Sequence, residues 1–453
     1  MEINTAIVAG TGKSGISATK LLVNHGVKVY LFDENKDRDI EAIKEKTGDS
    51  ELVQIELGEL GEDALSSSQL MVISPGIPVD APFTDVVRNA GIPIWSEIEL
   101  AYHYGKGKIA AITGTNGKTT TTALVGEIVK AHNAKTIVVG NIGIPYTELC
   151  DTTDDDSDTV AEISSFQLET VIDFHPNVSA ILNLTPDHLN RHYTFENYGN
   201  VKFSITKNQT MDDVTVLNYD DEHTRAMGEK AKDHCHVVYF SRLEKPVGGV
   251  YVEDGDIILE DGDKKINVLA IKDLKLMGAH NVENVLAAVG ISYYMGVPVD
   301  VIRDVATSFK AVAHRIEYVD TIDGVAYYND SKGTNPDAAI KGIQAMVAPT
   351  FLIGGGYDKG SEYDEWIEAF DGKVKWLVLI GQTAQKIADC AKRHGFNSII
   401  FEENLQDAVA YCHENAVDGD AVLLSPACAS WGQFDNYEQR GDMFKEYVRS
   451  YKE

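Results

Sequence analysis

The sequence predicts an α/β protein of three domains: an N-terminal Rossmann-like domain, a central P-loop ATPase-like domain with a mostly parallel sheet, and a C-terminal Rossmann-like domain. Three observations carry this expectation. Short apolar runs alternate with stretches of helical periodicity, glycine-rich turns follow two of those runs, and the alternation restarts twice along the chain. With 453 residues the chain exceeds what one core usually holds, and domains of roughly 100–200 residues give about three.

Within residues 1–105, an apolar run at 3–8 enters a Gly-rich turn, a helical stretch at 16–25 follows, and a second run covers 27–32. A third run at 70–73 ends in Ser74-Pro75-Gly76, and another helical segment precedes Gly91-Ile92-Pro93. This is βαβ patterning. The second unit, 106–312, opens with a run at 108–112, passes GTNGKTT, and carries a helix to about Ala131 before 136–139 and Asn141-Ile142-Gly143. Asp254-Gly255 and Asp261-Gly262 between alternating runs predict β-hairpins, read as a small antiparallel flap over 247–271. The third unit, 313–453, begins with a hairpin about Asp323-Gly324 and continues through runs at 351–353, 376–380 and 421–424. The acidic stretch 151–158 lacks periodicity and reads as a solvated loop.

Hydrophobic and charged fractions of 43% and 24% are those of a globular chain. A formal net charge of -30 repels nucleic-acid phosphates and anionic membranes, so neither partner is expected. The start MEINTAIVAG has no charged n-region, and no run of about 18 apolar residues occurs, so the expected location is cytoplasmic. Cys150, Cys235, Cys390, Cys412 and Cys428 show no CxxC spacing and are expected to be reduced and structural. In His234-Cys235-His236 adjacent side chains alternate faces, which disfavours metal ligation.

The strongest local signal is Gly114-Thr115-Asn116-Gly117-Lys118-Thr119-Thr120, between a strand and a helix. Its glycines let backbone wrap an anion, its N–H groups and the helix N-terminus face phosphate, Lys118 reaches the terminal phosphates and the Thr119 hydroxyl suits magnesium. It is a shortened P-loop, since the residue five before Gly117 is Ile112 rather than Gly. Gly10-Thr11-Gly12-Lys13-Ser14-Gly15, with Asp33 ending the next run, is a GxGxxG that fits a dinucleotide fold, so an NAD-dependent oxidoreductase stays open. A P-loop switch protein stays open as well.

GTNGKTT resembles the ATP loop of the Mur ligases and of their relatives, the folylpolyglutamate synthetases. Glu162-Ile163-Ser164-Ser165-Phe166-Gln167-Leu168 and Asn183-Leu184-Thr185-Pro186-Asp187-His188-Leu189-Asn190-Arg191 are similar to two further family blocks. The resemblance implies that Thr119 and Glu162 hold one magnesium ion, and that His188 and an N6-carbamylated Lys202 lie at a second. Taken alone, Glu162 and His188 read equally as structural residues, and Lys202 as a surface lysine. Gly278-Ala279-His280-Asn281-Val282-Glu283-Asn284 resembles the adenine block, implying Asn281 and Asn284 at ATP; Arg315 and Asp330 are implied there too. Lys13, Ser14, Asp33, Glu34, Asn35, Ser74, Pro75, Gly76 and Asn141 align with residues that hold the UDP-sugar.

Three C-terminal blocks resemble the D-glutamate-adding branch: 329–337, 424–430 and 435–441. Thr334, Lys359, Ser430 and Tyr437 align with its D-glutamate contacts, while Trp431 and Tyr437 depart from the commoner side chains. Read without the family, Lys359 is a solvated loop lysine. The implied chemistry joins UDP-N-acetylmuramoyl-L-alanine to D-glutamate at the expense of ATP, through an acyl phosphate, in peptidoglycan precursor synthesis. Closure about a linker near residues 311–315 is expected to assemble the site. A folylpolyglutamate synthetase, with a pterin substrate, is the alternative within the same class.

Overall fold

In the computed structural model, residues 3–141, 143–276, 278–310 and 313–452 are described. Ala311 and Val312, part of the expected linker, lie outside the described residues, as does Ile142. The chain divides into two compact units, Met1–Asp273 with Glu283–Thr307, and Leu274–Val282 with Ser308–Glu453. Among the described residues three sheets are present: two in the first unit, one in the second.

The first sheet comprises β1 (Thr5–Ala9), β2 (Lys28–Asp33), β3 (Val53–Leu57), β4 (Leu70–Ile73) and β5 (Ile94–Ser96), in the order β3-β2-β1-β4-β5. All its pairs are parallel, with Ile7 beside Tyr30 on one side and Met71 on the other. Parallel strands covered on both faces read as continuous apolar runs, which is why β1 and β4 were legible. The helix Lys13–Asn24 approaches β1 so closely that a Cβ on Gly15 would stand 1.8 Å from the Gly10 carbonyl oxygen. Strand order reverses between β1 and β4, leaving the GxGxxG turn and Ser74 at the crevice where such sheets bind ligands.

The second sheet comprises β6 (Lys108–Thr113), β7 (Ile137–Gly140), β8 (Asp158–Glu162), β9 (Val178–Ile181), β10 (Val214–Asn218), β11 (His236–Ser241), β12 (Gly249–Glu253), β13 (Asp256–Asp261) and β14 (Lys264–Ala270). Its order is β14-β13-β12-β11-β10-β9-β6-β8-β7. The expected hairpins form, with Asp254 and Gly255 at φ of 51° and 86° in a turn that needs two positive φ angles. They form an antiparallel flap on the second domain, but not as an appendage to its sheet: β12 pairs parallel with β11, so the hairpins extend the central sheet. Nor is the acidic stretch wholly solvated. Ser157 and Asp158 are buried, Asp151 meets His25 Nε2 at 2.8 Å, and Lys135 Nζ donates to Asp154 at 2.6 Å.

The third sheet comprises β15 (Glu317–Ile322), β16 (Val325–Asn329), β17 (Thr350–Gly354), β18 (Val374–Leu379), β19 (Ile399–Phe401) and β20 (Ala421–Leu424), in the order β15-β16-β20-β17-β18-β19. Only β15 is antiparallel, joined to β16 through Asp323 and Gly324. β20 lies between β16 and β17 and runs parallel to both, so the loops leaving these three strands emerge side by side. All five cysteines are buried and unpaired. Among the described residues no helix is long and apolar enough to cross a membrane.

Candidate active site

The phosphate loop leaves β6 and enters the helix Lys118–His132, whose N-cap Gly117 has φ 84° and no capping side chain. Both loop glycines are sterically required. A Cβ on Gly114 would meet the Leu182 Cβ at 3.0 Å, and one on Gly117 the Asn284 Oδ1 at 2.3 Å. One expectation needs correction: the loop does not turn all its N–H groups toward an anion. Thr115 N–H donates to the Asn183 carbonyl at 3.1 Å and Asn116 N–H to Asn183 Oδ1 at 2.8 Å. Asn183 therefore fixes the first half of the loop, a role invisible in its motif. Lys118 Nζ folds back to donate to the carbonyls of Gly114 and Thr115, both at 2.8 Å, while Thr119 and Thr120 lead the helix.

Lys202 is no surface lysine. It lies on the helix Phe195–Phe203, 1% exposed, and Nζ donates to the Gly114 carbonyl at 2.9 Å above the Tyr198 ring. Burial, then the neighbouring Lys118 charge, holds its pKa well below the ordinary lysine value. Tyr198 is buried too, its hydroxyl 3.1 Å from Thr115 Oγ1. Glu162 ends β8, 2% exposed, and its Oε1 accepts from Asn141 Nδ2 at 3.1 Å. The structure thus joins Asn141, aligned with the sugar nucleotide, to the implied metal carboxylate. His188 is exposed with φ 53°, its ring against Phe166. Asn281 and Asn284 are buried on the helix Ala279–Tyr294, and Thr121 Oγ1 donates to Asn284 Oδ1 at 3.3 Å.

At the first crevice, Lys13 Nζ donates to the Gly143 carbonyl at 2.5 Å, and Ser74 Oγ is buried without a partner among the described residues. Ser14, Pro75 and Gly76 border the same two turns. Asp33 is already engaged: Thr11 Oγ1 donates to Oδ2 at 2.6 Å, Asn35 N–H to Oδ1 at 3.0 Å, and Arg38 Nε to Oδ2 at 3.2 Å. Burial raises its pKa, but these donors outweigh burial and lower it overall.

In the second unit, the loops after β16, β20 and β17 carry Thr334, Ser430 and Lys359. Arg440, from the helix Tyr437–Ser450, is buried and clamps two of them: Nη2 donates to the Ser331 carbonyl at 2.8 Å, and Nη1 to the Cys428 carbonyl at 3.2 Å. Ser331 Oγ donates to the Tyr437 carbonyl at 2.8 Å. The third loop is joined by Tyr357 N–H, which donates to the Ala429 carbonyl at 2.9 Å. Lys359 is exposed but lies over the Trp431 ring, 5.4 Å from its centroid. Asp330 is fully buried and accepts from Ser425 Oγ at 2.8 Å; burial pushes its pKa up to about 6 despite the Arg315 charge.

A shortened phosphate loop over a buried lysine, followed by a sheet with three clamped loops, places the chain in one class. Residues 4–96 match the N-terminal domain of MurD-like Mur ligases, 112–292 the Mur ligase middle domain, and 314–428 the Mur ligase glutamate ligase domain. The chain belongs to the Mur ligase family. It is 56% identical over 450 residues to the UDP-N-acetylmuramoylalanine--D-glutamate ligase of Lachnospira eligens, covering 99% of each chain. It is 51% identical to the enzyme of that name from Lachnoclostridium phytofermentans, covering 99% of this chain and 98% of that one. MurF from Acinetobacter baumannii shares the fold, with TM-score 0.63 at 16% identity over 97% of this chain and 93% of that one.

Proposed function

We infer that the chain is an ATP-dependent carboxylate–amine ligase that adds D-glutamate to UDP-N-acetylmuramoyl-L-alanine in peptidoglycan precursor synthesis. The observation that carries this is 56% identity along 99% of the chain to a ligase of that name. The folylpolyglutamate alternative is not favoured. In this reading residues 1–105 bind the UDP-sugar through Lys13, Ser14, Asp33, Ser74, Pro75 and Gly76, and Asn141 of the central domain joins them. Residues 106–312 bind ATP, and 313–453 bind D-glutamate.

An oxygen of the alanine carboxylate attacks the γ-phosphorus, the bond to the β-phosphate oxygen breaks, and ADP leaves with that electron pair. The D-glutamate nitrogen then attacks the acyl carbon, loses a proton, and expels phosphate. Lys118 exchanges the carbonyls of Gly114 and Thr115 for phosphate oxygens, a charge-assisted contact that strengthens as charge shifts outward. Asn281, Asn284, Arg315 and Asp330 orient the nucleotide. The donor set suits magnesium, since Thr119 offers a hydroxyl and Glu162 a buried carboxylate, both hard oxygen ligands. When bound, magnesium neutralises phosphate charge. Thr119 and Glu162 would hold one ion, His188 and Lys202 a second.

Lys202 serves as such a ligand only after its nitrogen bonds to the carbon of CO2 and releases a proton, giving an N6-carbamate. A buried, deprotonated amine is the reactive form, which supports this step. The test is phosphate release from ATP in the presence of UDP-N-acetylmuramoyl-L-alanine and one amino acid at a time. Release that requires both that sugar nucleotide and D-glutamate is expected. Release without either substrate, or driven by another amino acid, would refute the assignment.

A further inference from the structure

Away from these loops, two helices of the second unit face each other with ligand-type side chains one turn apart on each. Asp364 and Glu368 lie at i and i+4 on the helix Asp364–Glu368. Cys390 and His394 lie at i and i+4 at the end of the helix Ala384–Arg393, and His394 N–H donates to the Cys390 carbonyl at 3.2 Å. That spacing stacks two side chains on one helix face.

The donor atoms of Asp364, Cys390 and His394 all lie within 4.8 Å of one another. His394 Nε2 is 2.8 Å from Asp364 Oδ1, and its other nitrogen, Nδ1, is 3.7 Å from a Glu368 carboxylate oxygen. The ring is therefore held at Nε2 by a hydrogen bond, and a carboxylate stands within ion-pair range of Nδ1. An imidazole that offers one nitrogen to a metal while a carboxylate orients the other is a recurrent feature of metal sites. Cys390 is 2% exposed, whereas Asp364 and His394 open to solvent and give an ion a route in.

We propose that Asp364, Cys390 and His394 form a zinc site, with Glu368 orienting His394. A thiolate, an imidazole and a carboxylate form a donor set that zinc accepts in tetrahedral geometry, with water as the fourth ligand. Binding replaces the Cys390 thiol proton, which leaves to solvent, and only slightly opens the Asp364–His394 contact. Arg393, 3.5 Å from Asp364 and mostly exposed, is free to turn to solvent. The ion would brace the helix Asp364–Glu368, which follows directly on the loop bearing Lys359, a loop already tied to the neighbouring helix by Lys386 Nζ donating to the Ser361 carbonyl at 2.8 Å.

The test uses the full chain, stripped of metal and kept reduced, with magnesium in excess to occupy oxygen-rich sites. Zinc should bind one ion per chain and raise the thermal midpoint. Cobalt(II) in its place should give a sulfur-to-metal charge-transfer band. Cys390→Ser should abolish that band, His394→Ala should abolish tight binding, and Glu368→Gln should weaken binding by roughly tenfold to a hundredfold. Far-UV circular dichroism and retained ligase turnover establish that each variant is folded. No stoichiometric binding, a cobalt complex without the thiolate band, or affinity unchanged in folded His394→Ala would overturn the proposal.

Discussion

Lys118 and Lys202 bring their ammonium nitrogens to one acceptor, the Gly114 carbonyl oxygen, at 2.8 and 2.9 Å. Two full positive charges so close, one of them 1% exposed, are costly, and the proton is lost more readily from the buried partner. Burial and the Lys118 charge therefore favour the neutral amine of Lys202, the form that carbamylation requires. Lys202→Ala should be nearly inactive, and small carboxylic acids in excess should restore part of the rate by replacing the missing carboxylate. Mass spectrometry under CO2-rich conditions should detect a carboxyl adduct on Lys202. Full activity in Lys202→Ala together with no adduct would rule the modification out.

Lys118 is half-buried, and its removal leaves no large cavity. Lys118→Ala should thus fold normally yet lose phosphate release by about a hundredfold to a thousandfold, the scale of a lost transition-state charge contact. Ordinary turnover by the folded variant would remove the phosphate loop from the mechanism.

The run at 421–424 and strand β20 coincide because four apolar residues buried on both faces admit one reading. The three-residue strands β5 and β19 are too short to show a period. Glycine-containing turns were legible at Asp254-Gly255, but which strand the hairpin joins depends on a parallel pairing with β11 that no local signal carries. Burial of Lys202 is likewise tertiary: helix periodicity places it four residues after Tyr198, and only packing against the loop removes it from water. Asn183 and Arg440 act through backbone carbonyls and N–H groups, and such partners leave no pattern in side-chain spacing. Their blocks stood out by family resemblance, but their roles needed coordinates.

Glu97 opens a pH prediction. It is buried at the start of the helix Glu97–Tyr104; Oε1 accepts from Gln167 Nε2 at 2.7 Å, and Oε2 has no partner among the described residues. Burial pushes its pKa up from 4.5 to about 7, against the Gln167 hydrogen bond. The folded state therefore prefers the protonated acid. Its stability is complete below the unfolded value and falls as pH rises through about 7. The loss is on the order of 3 kcal/mol. Glu97→Gln should flatten the thermal midpoint between pH 4.5 and 7. An unchanged pH slope in the variant would exclude Glu97 as its source.

Arg440 is buried, burial lowers its pKa to about 10, and its donors hold the carbonyls of Ser331 and Cys428. Arg440→Ala would strand these acceptors and should cost about 2–4 kcal/mol, read from denaturant midpoints. Arg440→Lys restores one donor direction only, so it should recover part of the stability while KM for D-glutamate stays raised and KM for ATP does not. Wild-type stability and KM in Arg440→Ala would show that the clamp has no role.

Lys359 carries the prediction that decides the amino acid. D-glutamate presents two carboxylates and one amine, so its pocket needs a cation and several donors arranged to accept one hand of the α-carbon. The loops after β16, β20 and β17 emerge side by side, and the Tyr357 bond to Ala429 holds the last two in register. Trp431 supplies a flat face on which the exposed Lys359 ammonium rests, which limits the directions it samples before substrate arrives. Lys359→Ala should raise KM for D-glutamate by roughly tenfold to several hundredfold, the cost of a charge-assisted contact, with KM for ATP nearly unchanged. Trp431→Ala should give a smaller rise in the same constant, because the cation remains but is less restrained. Initial rates are compared for D-glutamate, L-glutamate, L-lysine and meso-diaminopimelate in the parent and both variants. A preference for any amino acid but D-glutamate, or a D-glutamate KM untouched by Lys359→Ala, would overturn the pocket assignment.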